Sequence, residues 1–493
     1  MADLTPSHVA APAAPPLPSW LDNRTRWQAS WWAVGGVLAV GLLADQWLRN
    51  GASFGLAASA TVIGAAALVV WQGRVRRREA LVLIATAGFF ALWLTLRASP
   101  WLLVPDLVAA LGLVGLAASV SVRGSVFDLG MAELAARAIH STVHAATGSA
   151  FVVRPVLASR GRIRGAAPLV RGVLIAVPIA ALLIGLLASA DPVFASFFNL
   201  NLDFGTFLLD VFFVALGAAG AGGLLQLAAA EPVERIDGPS WRLGATEALV
   251  VLAILDAVFA AFAAAQVLAA TGGAAATLRE AGVTYADYAR NGFFQLLWVS
   301  GITLAVLVVF SRATNLRDRK ARRAFTVLAC TAIALTLMVD VVAFRRLSLY
   351  EEAYGFTMLR LYSHVFAVWL AVVFAVLAAD FLGVAPTRRW FAGATLTTAV
   401  AVLVGLNFAS PEAIVVALNT NHAQIAHKID SAYLAELSSD ATPSLLATRD
   451  RIDPALRAQV TAAACAGPKN YTPSPAAFNL ADAQAADARR SAC

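Results

Sequence analysis

The sequence predicts an all-α, polytopic membrane bundle of about eleven transmembrane helices, amino terminus in the cytoplasm and carboxyl terminus outside it. Three observations predict this. First, 59% of the 493 residues are hydrophobic and 14% are charged, against about 25% charged in an ordinary soluble domain, and the mean hydropathy is +0.72. A water-soluble protein of this length needs more polar surface, and a disordered chain is poor in apolar residues, so both classes are excluded. Second, the apolar residues gather in stretches long enough to cross a bilayer, which takes about 20 residues. Third, the basic residues sit in short clusters between those stretches. The net charge of +7 therefore reads as membrane orientation rather than as a nucleic-acid surface.

Residues 1–30 are rich in Pro and Ala and read as an unstructured cytoplasmic tail. Four spans follow, at roughly 31–48, 52–71, 80–96 and 101–122, making a membrane segment over 31–122. A cytoplasmic loop takes up 123–171. Seven more spans, at roughly 172–190, 205–228, 244–268, 292–311, 325–344, 361–383 and 391–408, fill a second segment over 172–408. With the amino terminus inside, 23 of the 37 Lys and Arg residues fall on inner connections, seven on outer ones and seven in the tail. That split follows the positive-inside rule and supports an odd number of spans.

In the inner loop, Leu129, Ala132, Ala136, Ile139 and Val143 recur at helical spacing, which predicts an amphipathic helix on the inner surface. His140 and His144 lie one turn apart on it. Without a third ligand at metal spacing they read as surface histidines. Beyond the last span, residues 409–465 look helical, with Ser410-Pro411-Glu412 as a helix start. Residues 466–493 are Pro/Ala-rich and read as unstructured. Cys465 and Cys493 both fall in this outer tail, where a disulfide can form; Cys330 sits in an apolar run as a small hydrophobe.

Outer connections should be poor in arginine, yet two segments concentrate it. The first, before the eighth span, carries Tyr285, Asp287, Tyr288 and Arg290. The second, entering the tenth span, carries Arg345, Arg346, Tyr350, Glu351, Tyr354, Arg360 and His364. Tyr350, Tyr354, Thr357 and Leu361 are spaced for one helix face. One reading is a polar, aromatic-rimmed pocket at the outer boundary that binds an anionic or sugar-like group. The other is interfacial anchoring by Tyr and snorkelling Arg.

These segments, Tyr-Ala-x-Tyr-Ala-Arg-x-Gly-Phe-Phe from Tyr285 and Arg-Arg-Leu-x-x-Tyr-x-x-x-Tyr-Gly-x-Thr-x-x-Arg-x-Tyr from Arg345, resemble a bacterial family of polytopic membrane proteins catalogued only as a domain of unknown function. The stretches from Leu255 to Phe262 with Gln266, and from Lys428 to Pro443, are similar to further family segments. The resemblance covers roughly residues 170–446 and implies a membrane location with no established activity. One departure is that Ala417–His422 is less basic than the corresponding family segment.

Acids also fall within the spans: Asp106, Asp210, Glu247, Asp256, Asp340 and Asp380. A charge at the bilayer centre costs at least about 2.5–3.5 kcal/mol, so such groups face the protein interior or water. Asp256 is the most central. It reads either as part of a proton or cation relay, with Gln266 above it, or as a neutral carboxyl tying helices together. Gly217, Gly220, Gly222 and Gly223 in the sixth span read as close-packing positions.

The sequence contains no metal motif, nucleophile elbow or phosphate loop. No catalytic residue, cofactor or metal site is therefore expected, and no nucleic acid. The expected partners are the lipid bilayer and a small molecule, an ion or an envelope lipid. The expectation is a non-enzymatic protein of the bacterial cytoplasmic membrane with a transport-like or scaffold role. The alternative is a membrane enzyme or binder acting on an envelope lipid or glycan at the outer face.

Overall fold

The computed structural model describes residues 25–49, 54–121, 124–139, 141, 151–152, 204–230, 243–270, 292–384 and 389–493. Among them the protein is all-helical, and nine helices are long and apolar enough to cross a membrane. They are α1 (Trp31–Arg49), α3 (Arg78–Leu96), α4 (Pro100–Val120), α5 (Phe204–Ala229), α6 (Ala245–Ala270), α7 (Phe293–Ala313), α8 (Arg319–Tyr354), α9 (Met358–Phe381) and α10 (Phe391–Ala409). Their outward sides are apolar, as in Trp32, Val82, Val108, Phe212, Ile254, Trp298 and Val341. Apolar exposure on this scale needs lipid as its solvent, so the chain is a multi-pass membrane protein.

The ten expected spans that fall on described residues are all helices. The eleventh, 172–190, lies outside the described residues. The expected span 52–71 is α2 (Leu56–Trp71), whose 16 residues reach only about 24 Å. It starts late because the Leu56 N–H donates to the Phe478 carbonyl of the tail at 2.9 Å. The expected span 325–344 is instead the middle of the 36-residue α8, about 54 Å long. Polar turns extend it at both ends: Asp318 caps its start by accepting from the Ala321 N–H at 3.0 Å, and the arginine motif continues its far end.

The helices form two packed groups. In the first, α2, α3 and α4 surround a core that includes Phe90, Leu94 and Leu113, while α1 and α5 close on Val37, Leu68 and Leu225. In the second, α6, α7, α8 and α9 meet on Leu252, Leu307, Phe325 and Phe374. Helix α10 bridges them. Its Leu396, Val400 and Leu403 pack on the first core and its Phe391 on the second. Helices α1 and α5 approach closely, since a Cβ on Gly217 would stand 2.4 Å from the Ala44 Cβ and one on Gly41 2.6 Å from the Val214 carbonyl. This is the close packing expected of small residues in a membrane.

Three expectations are corrected. Within the stretch 1–30 expected to be unstructured, residues 25–30 are held: the Arg26 N–H donates to the Ala229 carbonyl at 2.8 Å and its Nε to the Ala230 carbonyl at 2.9 Å. The amphipathic helix does run over residues 131–139, but it buries its polar side. Glu133 and Arg137 are buried while Met131 and Ile139 are exposed, because Arg137 reaches into the bundle to bond the Ser119 carbonyl and hydroxyl. His140 and His144 lie outside the described residues. Finally, residues 466–493 are structured and end in the helix α15 (Leu480–Ala492).

Candidate functional site

The tail forms a helical cap. It comprises α11 (Pro411–Ala426), α12 (Ser431–Glu436), α13 (Thr442–Thr448), α14 (Pro454–Cys465) and α15, around a core of Val416, Leu434, Leu445, Val460 and Ala464. Each such buried Leu or Val contributes about 1.5–3 kcal/mol. Cys465 and Cys493 are disulfide-bonded, with Cα atoms 5.9 Å apart and a sequence separation of 28. Arg489 locks α15 down, donating from Nε to the Ala464 carbonyl at 2.8 Å and from Nη2 to the Thr442 hydroxyl at 2.7 Å.

The cap docks on the bundle through buried polar bonds. Asp440 accepts from the Ala98 and Ser99 N–H groups at 3.0 and 2.9 Å, which leads the chain into α4. Arg97 donates to the Ser410 hydroxyl and the Asn407 carbonyl, both at 2.6 Å. The Asn479 side chain donates to the Phe54 and Arg97 carbonyls at 3.1 and 2.8 Å. Glu412 is 2% exposed and accepts from the Ser438 hydroxyl at 2.7 Å. Burial raises the Glu412 carboxyl above its ordinary range, and burial raises Asp440 likewise against the pull of the Ser99 and Ala98 amides.

The second arginine motif forms the joint between α8 and α9. Gly355 ends α8 with φ +78°, and a Cβ there would meet the Asn419 Oδ1 at 2.8 Å, so only glycine fits. Thr357 caps α9, accepting from the Arg360 N–H at 3.4 Å. Tyr350 and Tyr354 therefore sit on one helix and Thr357 and Leu361 on the next, which corrects the single face read from spacing. The Arg360 guanidinium donates to the Gly355 carbonyl and lies 4.3 Å from the Tyr350 ring centroid. Glu351 is 4% exposed, with its carboxylate 3.3 Å from the His364 Nδ1, while Ser348 lies 3.3 Å from the His364 Nε2. Arg345 is exposed.

This joint receives the cap. The Phe356 N–H donates to the Asn419 Oδ1 at 2.9 Å and the Met358 N–H to the Tyr433 hydroxyl at 2.6 Å. It also meets the first motif. Phe293 packs with Ala343, Leu347 and Tyr350, and Arg346 lies against Gly292, whose φ is +113°. Tyr285, Asp287, Tyr288 and Arg290 lie outside the described residues.

The chain matches the family described as Domain of unknown function (DUF4153) over residues 83–448, about three quarters of its length. It belongs to this family. No curated protein and no solved structure matches the chain. The DUF4153 match starts in α3, well before the residue 170 expected from the motifs, and ends at the last residue of α13. Helices α1 and α2, together with α14, α15 and their disulfide, lie beyond it.

The DUF4153 chain has a half-open pocket of about 830 Å³ between α1, α2, α4, α5 and α10, which Leu134, Arg137, Ala138 and Ser141 also line. Its wall is apolar, with Val40, Leu113, Leu216, Leu224 and Val400 typical. The polar side chains among its lining residues are those of Trp47, Thr61, Arg137 and Ser141. Arg137 is 6% exposed, and its Nε has no hydrogen-bond partner. Gly112 and Gly220 also line the cavity, and a Cβ on either would meet nothing within 4 Å.

The span acids separate into distinct environments. Asp45 and Asp210 converge on Arg49, at 2.9 and 2.5 Å. Asp106 accepts from the Asn407 side chain at 2.7 Å, and Glu247 accepts from the Gly244 N–H at 3.0 Å at the start of α6. Asp340 accepts from the Ser300 hydroxyl at 2.5 Å. Sequence reasoning missed Arg137, Asn407 and Asn479. For Arg137 a signal existed in its i, i+4 pairing with Glu133. For the two asparagines, each opposite a partner hundreds of residues away, there was none.

Proposed function

We infer that this protein is a bacterial cytoplasmic-membrane protein of eleven spans, amino terminus inside and cap outside, which holds an anionic amphiphilic lipid within its bundle. The role is transport-like rather than catalytic. One observation carries the reading: an apolar pocket between membrane-spanning helices with one buried guanidinium, that of Arg137, in its lining. A volume of about 830 Å³ falls among ligand pockets, which run about 300–1,000 Å³ and combine apolar walls with a few polar groups. Apolar walls inside a bilayer suit an acyl chain. Arg137 suits an acidic headgroup, because a guanidinium binds phosphate or carboxylate oxygens. The arginine-rich side on which Arg137 lies is the one the positive-inside rule assigns to the cytoplasm.

The test is the lipid content of the protein purified in mild detergent, read by mass spectrometry. Wild type is expected to retain an anionic lipid. Gly112→Leu and Gly220→Leu point into empty space, so each should keep the fold and lose that lipid. Arg137→Gln should keep acyl-chain binding and lose preference for the acidic headgroup. Equal lipid content in wild type and both cavity-filling variants would refute the reading.

A further inference from the structure

The exposure of the pocket's lining shows where the pocket opens. On α1, α2 and α10 every lining residue is buried or half-buried; on α4, Val108, Leu111 and Gly112 are exposed, and on α5 so is Leu216. Val108 is 66% exposed and Leu216 52%. These four residues sit near the middle of their helices, the 21-residue α4 and the 26-residue α5. Both helices have the length and composition to cross a bilayer. The opening between them therefore faces the hydrocarbon centre rather than water.

The two helices are held so that they part there. Toward the end of α4 that carries Ser119, Leu116 and Val120 of α4 belong to one core with Leu227 and Ala228 of α5. Further along, each helix is drawn to another neighbour. Asp106 of α4 accepts from the Asn407 side chain of α10 at 2.7 Å, and Gly217 of α5 lies against Gly41 and Ala44 of α1. The glycines beside the opening leave it clear, since a Cβ on Gly112 or Gly220 would meet nothing within 4 Å.

Arg137 is the one charged residue among the described lining residues, and the buried acids Asp256 and Asp340 are not part of that lining. It bonds the Ser119 carbonyl and hydroxyl, so its guanidinium stands by the last turn of α4. Ala138 next to it is the remaining exposed lining residue, which opens this end to the surface as well. Gly112 precedes Ser119 by seven residues and Val108 precedes it by eleven, about 10–16 Å of helix. The hydrocarbon of one leaflet is about 15 Å deep. A lipid whose acidic headgroup meets Arg137 therefore brings its chain to the opening after about one leaflet's depth.

We propose that the chain of the bound lipid leaves the pocket between α4 and α5 into the bilayer centre, so that the protein selects its ligand by headgroup charge and not by chain length, and exchanges it sideways with the membrane. This rests on the lipid-binding reading of the same pocket and narrows it to membrane-resident anionic amphiphiles of any chain length. A closed pocket measures its ligand, because extra methylenes forced into a packed space strain it; a pocket open at the far end of the chain does not.

The test is native mass spectrometry of the full chain in mild detergent, offered an equimolar mixture of decanoyl, myristoyl and stearoyl lysophosphatidylglycerol. Wild type should retain the myristoyl and stearoyl lipids alike. Leu216→Trp and Val108→Trp, each at an exposed position that tolerates bulk, should keep the wild-type unfolding midpoint and the decanoyl lipid and lose the stearoyl one. A stearoyl lipid with a diazirine at its chain end should label Val108, Leu111 or Leu216. Exclusion of the stearoyl lipid by wild type, an unchanged stearoyl share in both tryptophan variants, or a label confined to Trp47 and Leu48 near the end of α1 would each overturn the proposal and leave the lipid-binding reading standing. Wild type that retains none of the three lipids would overturn both.

Discussion

Gly217 and Gly112 look alike in the sequence, each a glycine inside an apolar helix, yet the bundle uses them oppositely. Gly217 lets α5 meet α1, and a Cβ there would stand 2.4 Å from the Ala44 Cβ; Gly112 faces open cavity. Gly217→Leu should therefore cost about 1–3 kcal/mol through overpacking, read as a lower unfolding midpoint in detergent, while Gly112→Leu leaves that midpoint near wild type. A Gly217→Leu protein as stable as wild type would show that the α1–α5 contact is loose. The same contrast holds for polar residues. Arg360 and Glu351 are strong motif residues, and their groups are engaged in closing one joint; Arg137 is inconspicuous in the sequence and carries a buried, unpartnered Nε.

The elements differ in what fixes them. The spans arise from composition, because in lipid a backbone must satisfy its own hydrogen bonds and an apolar run can do so only as a helix. The cap arises from tertiary bonds, and several of these depend on pH. Burial raises both Glu412 and Asp440, so the docked cap binds more protons than the released one. Its stability is then fully present below the ordinary carboxylate range and falls as pH rises through the raised values. Hydrogen exchange corrected for its intrinsic pH dependence should show residues 411–492 better protected at acidic than at alkaline pH. Glu412→Gln should flatten part of that dependence; an identical pH profile in that variant would remove Glu412 from the account. The Cys465–Cys493 link adds about 3.5 kcal/mol by closing its 28-residue loop.

At the scale of the whole molecule, the two helix groups differ: the first, with α10, lines the apolar pocket, and the second buries Asp340 against Ser300. The cap spans both, holding the α3–α4 turn through Asp440 and the α8–α9 joint through Asn419 and Tyr433. The topology gives a direct prediction. In a Cys330→Ala background, a cysteine at Ile425, which is 84% exposed, should react with a membrane-impermeant maleimide on intact cells, and one at Arg317 should react only after lysis. The reverse pattern would invert the map of faces.

The sequence by itself determined the solvent of this protein, the positions of its spans and its family. Each of these follows from local composition or from contiguous motifs, and the limits of α1, α3, α4 and α10 fall within two residues of those read from apolar runs. It could not show that residues 466–493 are ordered, because a Pro/Ala-rich segment lacks local preference and is held here by Asn479 and Arg489 reaching distant backbone. It could not split the second motif at Gly355, since spacing alone does not reveal a positive φ. Only the tertiary structure decided that Arg137 points inward, that Asp340 of α8 meets Ser300 of α7, and that a pocket remains between α1, α4 and α5. Those facts depend on how helices far apart in the chain rotate and pack against each other, a choice that composition leaves open.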